Sequence, residues 1–535
     1  MTEESVELAT SNPMEHSCKS PGPESAKENG IKEELEVAQP RRLFWQTSLP
    51  TDETDAPSPL HRTTQNLLYN NIMRSRHPSE STPSSDVKVT KVVTLDLTEV
   101  LKRRANKEEV TVADMAVHHN KEYFPNFLRL RSELFLWLIM LAGIYYTLPV
   151  FQLVYYYQET AIRSGNLDTC YYNYLCLYPW GPFADYGHVF SNVGYVISGL
   201  FFMAIVKHRS YKYDKLCNNP ACSEKALGIY HPKFTGVPET YGIFYALGAA
   251  LTFEGILSGC YHVCPTAENF QFDTTFMYVI SVLVFLKVYQ FRHSDIAQTA
   301  HLVFLVIGLA LIVEVIGIFT SSFIFWIIFV TGYITFVIIF IIQVYHNGTG
   351  PTLGERIKNV LMKLKSVCCG DCSDISLDIF NKKLLPTILI LLVNIGMAIF
   401  FLSKRKPGVS RYILSIMMVN MVLYIIYYIS NKLYYRFRRK DWKPNESLRV
   451  LTCLYGVSSL LFMGGAVVFF IKELKTSAGT PAESRNLNDS CFFMIFDNHD
   501  MWHFLSAAGL FYLFMFILTI EDCNMGQPRN KIPVF

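Results

Sequence analysis

Ala300-His-Leu-Val-Phe-Leu-Val-Ile-Gly-Leu-Ala-Leu-Ile-Val-Glu-Val-Ile-Gly-Ile-Phe319 is an almost unbroken apolar run with a single carboxylate, Glu314. A helix needs about 20 such residues to cross the hydrocarbon of a bilayer. Working outward, nine further stretches of the same kind fall at roughly 133–157, 185–206, 239–261, 272–290, 322–345, 384–403, 411–430, 449–471 and 500–520. A protein surrounded by water has no use for so many. The expected fold is an all-α integral membrane protein, about ten transmembrane helices in a bundle.

Of the 535 residues, 50% are hydrophobic and 17% charged, and that average hides a break near residue 130. Before the break, Ser, Pro, Glu and Lys cluster, as in Pro78-Ser-Glu-Ser-Thr-Pro-Ser-Ser85. Such composition cannot bury enough apolar surface to fold. Two regions are therefore expected: a cytosolic, largely disordered segment at 1–130, with a short helix at 95–106, and a membrane domain at 131–535. The opening Met-Thr-Glu-Glu-Ser lacks an apolar core, so no cleaved signal peptide is expected. A net charge of +3 is too small to imply nucleic-acid binding by itself.

A cytosolic start and ten spans put the loops at 207–238, 346–383 and 431–448 inside. All three are basic, as the positive-inside rule requires. The loop at 158–184, with Arg163 as its one basic residue, falls outside. The loop at 404–411, with Lys404, Arg405, Lys406 and Arg411, runs against the rule. Cys170, Cys176, Cys264 and Cys491 also fall outside, with Cys260 near the outer boundary. An oxidising lumen permits disulfides among them, but their pairing is not legible from spacing. Cys368, Cys369 and Cys372 lie in a cytosolic loop and read as free thiols ahead of metal binding or palmitoylation. The sequon Asn488-Asp-Ser490 lies outside and those at Asn347 and Asn445 inside, so a glycan is expected on Asn488 alone.

The outer face also collects the chemistry. Asp497-Asn-His-Asp-Met-Trp-His503 opens the last span, with His499 and His503 at i, i+4 on one helical face. The span at 239–261 ends in Glu254, Ser258 and His262, again at i, i+4 spacing. Asp273 sits in the first turn of the next span. Three neutral imidazoles with one open position are the usual plan of a catalytic zinc, which brings the pKa of water near 7. In that plan His262, His499 and His503 hold Zn2+, Asp273 moves a proton and Ser258 donates a hydrogen bond. Glu254 reads as a supporting carboxylate or a protonated acid between helices. The plainer alternatives are structural: interfacial histidines are usually just hydrogen-bonded, Asp273 suits a helix N-cap, and Asp497 and Asp500 read first as solvated charges.

These residues match the superfamily pattern Ser-x-x-x-His, Asp, His-x-x-x-His on Ser258/His262, Asp273 and His499/His503. Longer words extend it: Ser191-Asn-Val-Gly-Tyr195, Tyr261-His-Val-Cys-Pro265, Asn269-Phe-Gln-Phe-Asp273, Thr480-Pro-Ala-Glu-Ser-Arg485 and His499-Asp-Met-Trp-His-Phe-Leu-Ser506. From about 130 onward the chain resembles the systemic RNA interference-defective (SID) transmembrane family, whose membrane domain is grouped with alkaline ceramidases and adiponectin receptors. The resemblance implies a zinc held by His262, His499 and His503 near the outer leaflet, double-stranded RNA transport, sterol association, suspected lipid hydrolysis and a homo-oligomer, a dimer. It implies a plasma-membrane or endosomal/lysosomal protein, with the metal site facing the extracellular or lumenal side. Family members typically begin with a signal peptide, a large β-rich ectodomain and a first span. This sequence carries none of them, so RNA uptake by this chain alone is not expected.

Three functions remain: a zinc-dependent amidohydrolase or esterase acting on a lipid such as a ceramide or phospholipid; a non-catalytic double-stranded RNA channel or trafficking protein with structural zinc; and a receptor braced by zinc. The basic run at Arg436–Lys443 suits anchoring at an anionic leaflet better than RNA binding. Charges within spans, such as Glu314, form no periodic file, which argues against a proton-driven transporter.

Overall fold

The computed structural model describes residues 110–116, 124–166, 169–217, 235–266, 269–294, 299–320, 322–345, 384–404, 409–438, 448–476 and 490–535, with Lys358, Glu483 and Asn488 singly. The helix expected at 95–106, the cysteines at 368–372 and the sequons at Asn347 and Asn445 lie outside the described residues.

Among the described residues, ten helices are long and apolar enough to cross a membrane. They are α1 (Phe124–Ser164), α2 (Val193–Cys217, continuing a short helix Tyr186–Ser191), α3 (Gly242–Tyr261), α4 (Thr275–Arg292), α5 (Ala300–Phe319), α6 (Phe323–Tyr345), α7 (Leu384–Lys404), α8 (Ser410–Arg438), α9 (Val450–Thr476) and α10 (Asn498–Thr519). Each overlaps one expected stretch. Helix α1 starts earlier and ends later than its apolar run, because helical hydrogen bonding continues into polar flanks that hydropathy alone does not count.

The bundle has a centre and a rim. Some 83% of the α4 span and 72% of the α3 span are buried by protein, against 11% of the α9 span. The rim helices keep large apolar side chains such as Leu460 and Leu461 on the outside, where lipid takes the place of a protein neighbour. Close approach at the centre depends on missing side chains. A Cβ on Gly199 would lie 2.6 Å from the Gly248 carbonyl oxygen and 2.8 Å from the Thr252 nitrogen. These small residues let α2 and α3 pack backbone to backbone.

The two ends of the bundle differ. At one end, disulfides Cys170–Cys264 and Cys176–Cys491 tie the α1–α2 loop to the end of α3 and to the entrance of α10. Arg411 lies at this same end, over the ring of Phe270. At the opposite end Arg209 pairs with Asp522 and with Glu239, and Arg292 and Lys432 both pair with Glu521. There the C-terminal strap is held between elements. Val112 donates to the Ile532 carbonyl and Val534 donates to that of Val110, while Arg292 donates to Pro533 O.

Candidate functional site

At the disulfide-linked end, three imidazoles meet. His262 caps the C-terminus of α3, whereas His499 and His503 stand one turn apart at the start of α10. His262 Nε2 lies 3.1 Å from His503 Nε2 and 3.1 Å from His499 Nε2. Zinc–nitrogen bonds of about 2.0–2.1 Å in a tetrahedral site set ligand atoms roughly 3.3 Å apart, so this convergence suits a metal. His262 and His503 are buried and His499 is partly exposed, which leaves an approach from one side. Burial first, then the neighbouring imidazoles, holds His262 well below the ordinary imidazole value, in the neutral form that a metal ligand needs.

Neighbouring groups fix the orientation of His503. Its Nδ1 is 3.3 Å from the Tyr195 hydroxyl; Tyr195 shares a hydrogen bond with Ser506 Oγ, and Ser506 donates to Trp502 O. A coherent order runs from Nδ1–H through Tyr195 to Ser506. That order leaves the Nε2 lone pair facing the other two histidines, as supporting partners do around metals. Tyr195 and Ser506 fall within the longer sequence words, but spacing alone gives neither a role.

Ser258 and Asp273 are together. Ser258 Oγ donates a hydrogen bond to Asp273 Oδ1, and the same carboxylate oxygen lies 3.9 Å from His262 Nε2. Asp273 occupies a 3-10 turn, Phe270–Asp273, ahead of α4 rather than inside its first turn, and the N-cap of α4 is Thr274. The capping expectation for Asp273 is thus corrected: its carboxylate is turned toward Ser258 and the histidines. Buried Glu254 lies one turn deeper and faces the backbone N–H groups of Phe276 and Met277 at the start of α4.

Asp497 and Asp500 are also corrected, since neither is solvated. Asp497 caps α10, accepting from His499 N at 2.8 Å and Asp500 N at 3.2 Å; Asp500 Oδ2 in turn accepts from Asp497 N at 3.0 Å. Both carboxylates are buried. His188, which sequence reading missed, lies against them. Its Nε2 is 3.0 Å from Asp497 Oδ2 and its Nδ1 2.7 Å from Asp185 Oδ2. The second contact is close but not aligned as a hydrogen bond. Asn173 donates to Asp497 Oδ2 at 3.0 Å. Burial alone would raise the Asp497 carboxyl, but His188 beside it, then His499 and Asn173, hold it well below the carboxylate range. A signal was present: Asp185-Tyr-Gly-His188 opens a span at the same predicted end, with an Asp in the capping position. Asn488 is at this end too, where its Oδ1 accepts from Tyr174 N at 2.8 Å.

Comparison with known proteins gives one consistent family. Residues 23–535 match the family model described as "dsRNA-gated channel SID-1". The chain is similar to SID1 transmembrane family member 1 of Homo sapiens, 34% identical over 408 residues, covering 76% of this chain and 47% of that protein. It is also similar to Cholesterol uptake protein 1 of Caenorhabditis elegans, 30% identical over 431 residues, covering 80% of this chain and 54% of that protein. The chain spans about half the length of the curated relatives it matches.

Proposed function

The chain belongs to the dsRNA-gated channel SID-1 family, and from that premise we propose that its bundle is a zinc-dependent, lipid-directed hydrolase-like domain in a protein linked to double-stranded RNA transport. The observation that carries the reading is the convergence of His262, His499 and His503 beside the Ser258–Asp273 pair. His262 Nε2 meets the Nε2 atoms of both His499 and His503 at 3.1 Å, a spacing that suits three nitrogens around one ion, so the donor set fits zinc. A bound zinc ion would act there as a Lewis acid on water and carbonyl oxygen. The chain's own residues do the rest. Asp273 takes a proton from the attacking water and returns it to the leaving group. Ser258 orients Asp273 and, by turning, donates to the developing oxyanion. Packing around His262 and His503 excludes bulk water, and the partly exposed His499 marks the side from which a substrate arrives. An acyl lipid, such as a ceramide or phospholipid, suits a polar site at the end of apolar helices. Sterol association rests on the named cholesterol-uptake relative.

The second reading is a non-catalytic double-stranded RNA conduit with structural zinc, favoured by the family description itself. Metal analysis of purified protein beside His262→Ala, His499→Ala and His503→Ala, followed by a lipid-turnover screen, separates the two. About one zinc lost in each variant that folds, together with lipid turnover lost in the same variants, supports the hydrolase. Zinc without turnover of any lipid class leaves the structural reading. Turnover that survives loss of all three histidines removes the proposed site.

A further inference from the structure

A second group of donor atoms lies beside the three histidines and shares no residue with them. His188, Asp497 and Asp500 are all buried and bring ligand atoms within 4.8 Å of one another. Asp185 adds a third carboxylate, 2.7 Å from His188 Nδ1. We propose that His188, Asp497 and Asp500, with Asp185 alongside, form a second divalent-cation site, distinct from the three-histidine cluster.

Charge is the first argument. Three buried carboxylates surround one imidazole. Their polar contacts come from His188, Asn173 and backbone N–H groups, and no lysine or arginine is paired with them among the described residues. A buried carboxylate without a compensating cation is strongly disfavoured.

An unsatisfied atom is the second argument. Asp500 Oδ1 is buried without a hydrogen-bond partner, whereas His188 Nδ1 already lies against Asp185. His188 Nδ1 faces Asp500 Oδ2 at 3.8 Å, and His188 Nε2 faces Asp497 Oδ2 at 3.0 Å. The capping bonds of Asp497 and Asp500 do not exhaust them, because each carboxylate has about four lone-pair positions. One imidazole with carboxylate oxygens is a mixed donor set, suited to Mn2+ or Zn2+ rather than to an all-oxygen ion such as Ca2+.

The inference does not depend on the three-histidine reading, and one experiment separates them. Full-length protein purified in detergent is stripped with a chelator, dialysed against Mn2+ or Zn2+ and analysed by mass spectrometry for metal per chain. The comparison is between wild type, Asp500→Asn, His188→Gln and His503→Ala, each checked for thermal unfolding. Wild type is expected to hold about two ions per chain and each single variant about one. Asp500→Asn combined with His503→Ala is expected to hold none. About one ion in folded wild type, lost in His503→Ala and kept in Asp500→Asn, overturns the second site and leaves the first. The reverse pattern keeps the second site and removes the first. If Asp500→Asn does not fold, the wild-type count and His188→Gln decide the matter alone.

Discussion

At one end of the bundle the buried carboxylates meet fixed cations, and at the other they do not. Glu521 Oε1 accepts from Tyr428 at 2.6 Å, Lys432 at 2.8 Å and Arg292 at 2.9 Å, while Arg209 serves both Asp522 and Glu239. Around His188 the three carboxylates share one imidazole. The first end is complete in itself, its charges paired by the chain. The second gathers three carboxylates around a single imidazole beside the three converging histidines, and covalent ties at Cys170–Cys264 and Cys176–Cys491 add to what holds it together. A membrane protein can hold buried charge either way, but only the unpaired arrangement leaves something for a bound ion to do.

The largest expected effect lies at the paired end. Glu521→Gln leaves Arg292 and Lys432 buried without their carboxylate. Breaking one partner of a buried pair costs about 3–5 kcal/mol. The variant is expected to show a large drop in unfolding temperature with metal content unchanged in whatever fraction stays folded. Loss of metal without loss of stability would blur the distinction between the ends.

Opening Cys176–Cys491 comes next. This bond joins residues 315 apart in sequence and lies six residues before the N-cap Asp497. Removing a native disulfide typically costs about 2–4 kcal/mol. Cys176→Ser with Cys491→Ser is therefore expected to lower the unfolding temperature and to weaken metal retention as well, since it frees the segment leading to His499. A stability loss with full metal retention would mean that the α10 cap alone positions His499.

Much of this was legible in the chain. Apolar runs gave the ten helices because a bilayer imposes one length on all of them. Counting alternate ends brought His262, Asp273, His499 and His503 to the same face, where they are found. What was not legible depends on side chains meeting across hundreds of residues. Spacing could not pair Cys176 with Cys491 or set His188 against Asp497. Solvent exposure was the natural expectation for Asp497 and Asp500, because a helix start usually meets water; here the α1–α2 loop, through Asn173 and the short helix bearing His188, covers it. Arg209 and Lys432 lie at the end opposite the histidines, and the burial of Arg292 and Lys432 against Glu521 could not be inferred from the positive-inside rule.

The smallest effect tests the comparison most finely. Tyr195→Phe removes one hydroxyl from the unpaired end, the one that meets His503 Nδ1 at 3.3 Å. The ring stays, so the packing of α2 against α10 is kept. If His503 serves as a ligand through Nε2, losing the partner on Nδ1 frees its tautomer and its tilt. Supporting bonds of this kind are worth about 10–100-fold in metal affinity. Competition with a graded series of chelators should read that loss while the unfolding temperature of the metal-free protein barely moves. A fall in unfolding temperature with unchanged affinity would instead make Tyr195 a structural strut, and the unpaired end would differ from the paired one in composition but not in what it binds.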